Sequence, residues 1–257
     1  MIKCLVCNSV NLRLILKVNE KRIYKCKNCL ICFFNPLPEN LENIYNKRYF
    51  ESWYLKIYEQ RKNYFKIFFN NIKNYIPKTG KLLDIGCGIG IFLDLMKEKN
   101  YDVYGIDISE FAINFCKKRG FTVYKSFNEL NFSEKTFDLI TLLDVIAHLK
   151  NPIDYLQKCK KLLKRNGILV IKTPLHSDYI FKIAKILLFT GKSNSILHIP
   201  TQIYHFDRNS IFKLSELVGL KIKKIIFLKE FISKKISFLN LWKLLVDKSI
   251  IAILENE

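Results

Sequence analysis

Two cysteine pairs open the chain, Cys4-Leu-Val-Cys7 and Cys26-Lys-Asn-Cys29, with residues 8–25 between them. Cysteines three apart on a tight turn carry both sulfurs to one side, and two such turns joined by a hairpin close a tetrahedral shell. The spacing is that of a four-thiolate zinc site with Cys4, Cys7, Cys26 and Cys29 as ligands. A closed shell leaves no open coordination position, so the zinc it implies is structural rather than catalytic. A segment this short buries too little surface to fold alone, and the metal supplies the missing stability. Accidental cysteines on a β-hairpin are the competing reading. Cys32 is read as a buried, inert thiol rather than a spare ligand.

The second constellation is acidic and glycine-rich. Lys81-Leu-Leu-Asp84-Ile-Gly86-Cys-Gly88-Ile-Gly90 reads as a buried strand entering a tight loop, with a helix over Ile91 to Lys99. The three glycines admit backbone angles barred to other residues and let a ligand approach the main chain. Such strand–loop–helix units hold nucleotides at the carboxyl end of a doubly wound sheet. Asp102-Val-Tyr-Gly-Ile-Asp107 is a second strand ending in a carboxylate, placed to accept hydrogen bonds from both ribose hydroxyls of an adenosine. A dinucleotide loop wants G-x-G-x-x-G with the pyrophosphate on a helix N-terminus. Here the third glycine comes one residue early, and Ile91 stands where that pattern wants glycine. Asp84 would repel a pyrophosphate, whereas S-adenosylmethionine carries a sulfonium, an ammonium and no phosphate. The charges favour S-adenosylmethionine; an ordinary loop without a ligand is the remaining alternative.

These residues need elements to position them. At 257 residues, 49% of them hydrophobic, the chain suits one α/β domain with a small appendage. The formal charge of +20 comes from Lys far more than Arg, spread along the chain, so it reads as compositional bias rather than a nucleic-acid stripe. No apolar stretch reaches the length of a membrane span, and the N-terminus lacks a signal-peptide core, so a cytoplasmic protein is expected. Leu12 to Val18 and Lys21 to Lys25 supply a hairpin with Asn19-Glu20 near its turn, and Asn35-Pro36-Leu37-Pro38 marks a boundary. Leu41 to Tyr75 reads as one or two helices, including Leu55 to Ile76, whose aromatics cover the sheet or line a pocket. The expected organisation is a zinc-ribbon-like module over 1–38, a helical connector or cap over 39–77, and a cofactor-binding domain over 78–257.

Leu83-Asp84-Ile85-Gly86-Cys87-Gly88-Ile89-Gly90 resembles motif I of the class I S-adenosylmethionine-dependent methyltransferases, and Asp107 matches that family's acidic residue after the second strand. Phe137 to Asp144 resembles the family's fourth strand and Asn166 to Pro174 its fifth, so the resemblance covers roughly residues 78–228. The N-terminal cysteines, with Phe34-Asn-Pro36-x-Pro38 and Tyr45…Tyr49, are similar to a bacterial and archaeal subgroup with a zinc-ribbon-like segment. Many of its members are associated with modifying sugars, glycans or secondary metabolites. The resemblance implies an α/β, Rossmann-like seven-stranded sheet, mostly parallel, with Ser249 to Leu254 as its antiparallel last strand. It implies that Gly86, Gly88 and Gly90 approach the methionine portion, Asp84 its amino group and Asp107 the ribose. Ile108 packs on the adenine, and Asp144 joins the cofactor residues.

Methyl transfer from a sulfonium is an in-line displacement, and a base is needed only where the nucleophile is protonated. His148 in Asp144-Val-Ile-Ala147-His148 is the best single candidate for a base or acceptor ligand, a capping or packing histidine being the competing reading; relatives read Glu-His where this chain has Ala147. His176 lies on another loop of the same side; His198 and His205 lie in the segment Ile196 to Asp207, where capping or packing is the favoured reading of His205 over contact with a substrate. Ile180 to Thr190, apolar with two lysines, is read as core packing, a substrate lid, or a transient contact with an anionic membrane. Asp207 or Ser210 begins a helix that Gly219 ends, Lys221 to Leu228 is β-like, and Phe238 to Val246 is helical. The expected activity is O-methylation of a small molecule, sugar or glycan. The alternatives are a zinc-ribbon nucleic-acid binder or RNA methyltransferase, and an inactive cofactor-binding member.

Overall fold

The structure, a computed structural model, describes residues 1–18, 21–37, 47–176, 178–186, 197, 202–229 and 248–257. The Asn19-Glu20 turn, Pro38, the start of the helical connector at 41–46, residues 187–190, His198 and the helix expected over Phe238 to Val246 lie outside the described residues.

Two strands rich in apolar and β-branched residues make the first hairpin. β1 (Leu12–Val18) pairs antiparallel with β2 (Lys21–Cys26), and a bulge between Leu14 and Leu16 shifts its register. β3 (Cys32–Asn35), not foreseen from the sequence, continues the sheet. Successive residues of β3 face opposite sides, as strand geometry requires. Phe33 enters one core with Cys4, Cys26 and Cys29, whereas Phe34 enters another with Leu16 and Ile23. The cysteine end and the large sheet share a core, because Cys4, Cys26, Cys29, Ile31 and Phe33 pack with Leu83, Ile140 and Leu169.

A helical run follows, built from Lys47–Tyr49, a wide turn over Phe50–Tyr54 and a tight one over Leu55–Ile57. It leads into α1 (Tyr58–Ile72), which buries Phe65, Phe68 and Ile72, spaced three and four apart as one helix face demands. Two of these rings meet Phe92 of α2 (Ile91–Glu98), at 5.3 and 5.8 Å between centroids.

The central sheet contains β4 (Gly80–Ile85), β5 (Tyr101–Ile106), β6 (Thr122–Tyr124), β7 (Phe137–Leu143) and β8 (Leu163–Pro174). Between them run α3 (Glu110–Lys118) and α4 (Pro152–Leu162). After β8 come α5 (Asp178–Ile186), β9 (Tyr204–His205), α6 (Arg208–Val218), β10 (Lys221–Lys229) and β11 (Lys248–Glu255). The seven strands lie in the order β10-β11-β8-β7-β4-β5-β6, with β11 antiparallel to both neighbours and β8, β7, β4, β5 and β6 mutually parallel. This is the Rossmann-like arrangement expected, antiparallel last strand included. Leu82, Leu83, Leu139, Ile140, Leu169 and Val170 are all fully buried, as strands covered on both faces by helices must be.

β9 does not join that sheet. It extends the first one, Cys32 pairing with His205 and Phe33 with Tyr204, to give the order β1-β2-β3-β9. α5 covers the far face of this small sheet with Ile180, Phe181 and Ala184, while Tyr179 and Ile186 stay exposed. α6 starts on a capping box: Ser210 N donates to the Asp207 carboxylate at 2.7 Å, and Asp207 N donates to Ser210 Oγ at 2.8 Å.

Candidate active site

Parallel register assembles the site. Ile85 of β4 pairs with Ile106 of β5 and with Leu142 of β7, so the next residues, Gly86, Asp107 and Leu143-Asp144, emerge side by side at the carboxyl end. They line a cavity of about 380 Å³. Gly86 has φ of +74°, and its N–H and that of Cys87 both donate to Ile106 O, at 2.7 and 3.1 Å. A Cβ on Gly86 would meet Val145 Cγ2 at 2.3 Å, so a side chain is excluded by space and by backbone angle. The next turn is pinned by Asp107: Gly88 N donates to its Oδ2 at 2.7 Å and Ser109 N to its Oδ1 at 2.9 Å. Asp107 is 8% exposed, and burial pushes its carboxyl above the usual range despite these two donors. Gly90 stands apart from the cavity lining, turning the loop into α2 with its α-carbon toward Cys116 and Phe121.

Asp84 is the buried acid of the cavity, 3% exposed, with Thr141 Oγ1 donating to its Oδ1 at 2.6 Å. Burial pushes its carboxyl up to about 7; the Thr141 hydrogen bond opposes the rise and the charge of Asp107 adds to it. Asp144 sits in the left-handed region at φ +61°, a strained setting for a non-glycine residue. A buried partner holds it there. Lys172 Nζ lies 2.6 and 2.8 Å from its two carboxylate oxygens, and Asp144 N donates to Lys172 O at 2.8 Å. Lys172 is itself only 2% exposed and also lies over the Tyr64 ring, 5.2 Å from its centroid.

The opposite wall comes from the helical run and α1: Tyr49, Phe50, Tyr54, Arg61 and Phe65. The Arg61 guanidinium stacks on Tyr54, 4.0 Å from the ring centroid, and Tyr54 Oη approaches the Gly88 α-carbon side. Burial pushes the Tyr54 phenol up to about 12, so it enters the site as a neutral donor. Ile108 lines the cavity while 44% exposed, an apolar surface left open for a ligand. His148 lies on the short turn Ile146–His148, followed on the wall by Leu149, Lys150 and Asn151. Ala147 does not face the cavity. It is 1% exposed in the core and its carbonyl accepts from Ile203 N at 2.7 Å, so its lack of a carboxylate leaves the cavity's acids untouched. His176 and His205 are buried together, rings 4.4 Å apart against Phe181, and neither lines the cavity.

Sequence reasoning brought together Asp84, Gly86, Gly88, Asp107, Ile108, Asp144 and His148, all on this cavity. It missed Tyr49, Tyr54, Arg61, Thr141 and Lys172. The last two carried a readable signal: a polar residue inside a strand buried on both faces needs a buried partner. Nothing in the Lys-rich helix marked Arg61.

The four N-terminal cysteines converge, their sulfurs all within 4.8 Å of one another. Cys4 and Cys29 stand 3.5 Å apart, as do Cys7 and Cys26. Four sulfurs about 2.3 Å from one zinc stand ~3.8 Å apart in a tetrahedron, so the set fits that ion. The hydrogen bond between Cys4 and Cys29 lowers the Cys4 thiol and raises that of Cys29, so without a metal the pair holds one negative charge between them.

Residues 57–224 match a family model described as a methyltransferase domain. The ubiquinone biosynthesis O-methyltransferase of Pelagibacter ubique (strain HTCC1062) is 30% identical over 182 residues, which cover 67% of this chain and 72% of that protein. The protein of the same name from Glaesserella parasuis serovar 5 (strain SH0165) is 31% identical over 198 residues, 68% of this chain and 78% of its own. The chain belongs to the S-adenosylmethionine-dependent methyltransferases. Solved structures share the fold. A Thermotoga maritima methyltransferase, described as a possible histamine N-methyltransferase, superposes with a TM-score of 0.59 at 16% identity, over 81% of this chain and 97% of that one. Geranyl diphosphate C-methyltransferase from Streptomyces coelicolor, solved with S-adenosyl-L-homocysteine, gives 0.60 at 12% identity, over 82% and 86%. Among the described residues of the methyltransferase, no helix is long and apolar enough to cross a membrane.

Proposed function

We propose that this methyltransferase transfers a methyl group to a hydroxyl of a small molecule with an apolar or aromatic body. The observation that carries the reading is a single cavity with three acids on one wall and aromatic side chains on the other. At about 380 Å³ it is of small-molecule size. Tyr49, Phe50, Tyr54, Phe65 and Tyr155 on its lining favour a flat or apolar acceptor over a free sugar or a glycan. The relatives named as O-methyltransferases support oxygen as the acceptor atom.

S-adenosylmethionine supplies the activated methyl group. Asp84 takes its ammonium and Arg61 its carboxylate, while the glycine loop approaches the methionine chain. Asp107 holds the ribose, Ile108 packs on the adenine, and Asp144, fixed by Lys172, adds a negative charge beside the cationic ligand. His148 accepts the hydroxyl proton as the methyl moves. Cys4, Cys7, Cys26 and Cys29 hold a structural zinc, which tightens the small sheet without entering the chemistry.

Incubation with methyl-labelled S-adenosylmethionine and, in parallel, a catechol acid, a hexose, RNA or a metabolite extract tests the reading. Label in a methyl ether of the catechol, or of an extract phenol or alcohol, is the expected result. Label confined to sugar or RNA overturns the acceptor class.

Two consequences concern the cofactor's ends. Because the Asp84 carboxyl of the free enzyme is raised to about 7, the unligated fold loses part of its stability as pH climbs from 3.8 through that value. A bound ammonium favours the ionised form. Affinity for S-adenosylhomocysteine is therefore full above about pH 7 and falls by up to about tenfold per unit below it. Calorimetry between about pH 5 and 8 reads this, and Asp84→Asn flattens the profile; a flat wild-type profile rejects the assignment. Arg61→Met weakens S-adenosylhomocysteine by about 10- to 100-fold, the worth of a charge-assisted pair. It leaves methylthioadenosine, which lacks the amino acid, unchanged. Equal losses for both ligands would place Arg61 elsewhere.

A further inference from the structure

The acceptor side of the cavity is suspended from the cysteine-bearing sheet. Ile203 N donates to Ala147 O at 2.7 Å, and Ile203 O accepts from Phe34 N of β3 at 3.0 Å. One residue on, Tyr204 Oη donates to Lys150 O at 3.1 Å. These two bonds grip the wall on either side of His148, one at residue 147 and one at residue 150. Inside the loop, His148 N donates to Val145 O at 2.9 Å.

Tyr204 is the link between this loop and the cysteines. It has no exposed surface, pairs with Phe33 across β3 and packs in the core that holds Cys4, Cys26 and Cys29. The cofactor residues have separate support. Asp84 is held by Thr141 of β7, and the Asp107 carboxylate by Gly88 N and Ser109 N; neither set of bonds passes through the small sheet.

We propose that the four-cysteine sheet is the positioning element of the acceptor wall: Ile203 and Tyr204 set where His148 and Lys150 stand, and leave the cofactor half of the site alone. Tyr204 is a positioning residue, acting through the Lys150 carbonyl. The share given to zinc rests on the metal reading above; the Tyr204 and Ile203 contacts stand without it.

Tyr204→Phe removes the hydroxyl and keeps the ring. The purified variant and wild type are compared by zinc content, by calorimetry with S-adenosylhomocysteine, and by hydrogen exchange in peptides over 84–90, 145–151 and 202–206. The chain has four histidines, so the His148 ring carbon–proton resonance is assignable by its loss in His148→Gln. In Tyr204→Phe we expect retained zinc and unchanged affinity. Exchange over 145–151 rises about tenfold, the equivalent of one lost hydrogen bond. The His148 resonance moves and its titration midpoint shifts, a signature that general loosening elsewhere does not produce. Chelation of wild type with EDTA also loosens the core that the thiols share with Leu83 and Ile140, so exchange over 145–151 is expected to rise more than exchange over 84–90, with the His148 resonance moving, and it serves if the variant fails to fold. Unchanged exchange and an unmoved His148 resonance overturn the proposal, and so does a parallel loss of cofactor affinity. Wild type without zinc removes the metal from the account, and Tyr204→Phe then still decides whether the sheet positions the wall.

Discussion

Asp107→Ala is expected to lower affinity for S-adenosylhomocysteine by at least about a hundredfold, more than the ribose contacts alone would cost. Losing charge-assisted hydrogen bonds to a ligand costs about 1.5–3 kcal/mol. Here the same carboxylate also accepts from Gly88 N at 2.7 Å and Ser109 N at 2.9 Å, so alanine strands two buried donors and frees the loop that the cofactor rests on. Each stranded donor adds about 1 kcal/mol or more, partly relieved if water enters. Asp107→Asn keeps the shape and one acceptor, and is expected to fall between alanine and wild type. Calorimetry on folded protein, checked by thermal unfolding, separates the two losses: the ribose bonds register in affinity alone, the stranded donors in stability as well. An alanine variant that bound the ligand as wild type does would sink the ribose assignment.

Removing the metal is expected to have the largest effect on stability. Purified protein should carry about one zinc per chain, and Cys29→Ser or prolonged chelation should lower the unfolding temperature by roughly 10–20 °C. That figure follows from several kcal/mol of lost binding energy at about 2–4 °C per kcal/mol for a chain of this size. The loss is not confined to a detachable tail. Cys4, Cys26 and Cys29 are 1, 0 and 3% exposed and share a core with Leu83 and Ile140 of the central sheet. Unliganded, they leave a cluster of thiols that repel one another when ionised and cannot be hydrated without opening that core. Elemental analysis and thermal unfolding decide it, and metal-free wild type of normal stability would contradict the zinc reading.

The two ends of the molecule were legible for the same reason. In C-x2-C pairs and in the Asp84-to-Gly90 loop, one short segment holds both the chemical groups and the backbone that aims them. Gly86 sits at φ of +74°, a backbone angle that favours glycine, and that local demand is written in the motif itself. The antiparallel β11 and the buried strands β4, β7 and β8 were legible through short apolar runs such as Leu82-Leu83, Leu139-Ile140, Ile168 to Ile171 and Ile250 to Leu254.

What residue spacing could not convey is which distant segments meet. Arg61 on α1 lines the cavity, and Thr141 on β7 and Lys172 on β8 reach its acids Asp84 and Asp144, only because a parallel sheet brings non-consecutive strands into register and α1 packs over its end. The pairing of Tyr204–His205 with β3 joins segments about 170 residues apart, and two hydrogen-bonded residues of that length have no pattern of their own. Ala147 shows the converse. Its neighbour His148 lines the cavity while it faces the core, because consecutive residues of a tight turn point in different directions. Local chemistry was therefore determined by the amino-acid sequence alone, in the glycine loop, its acids and the four thiols. The wall that carries Arg61, the partners Thr141 and Lys172 behind the acids, and the strut beneath the His148 turn were decided by tertiary packing, since their contacts close long loops that leave no periodic trace.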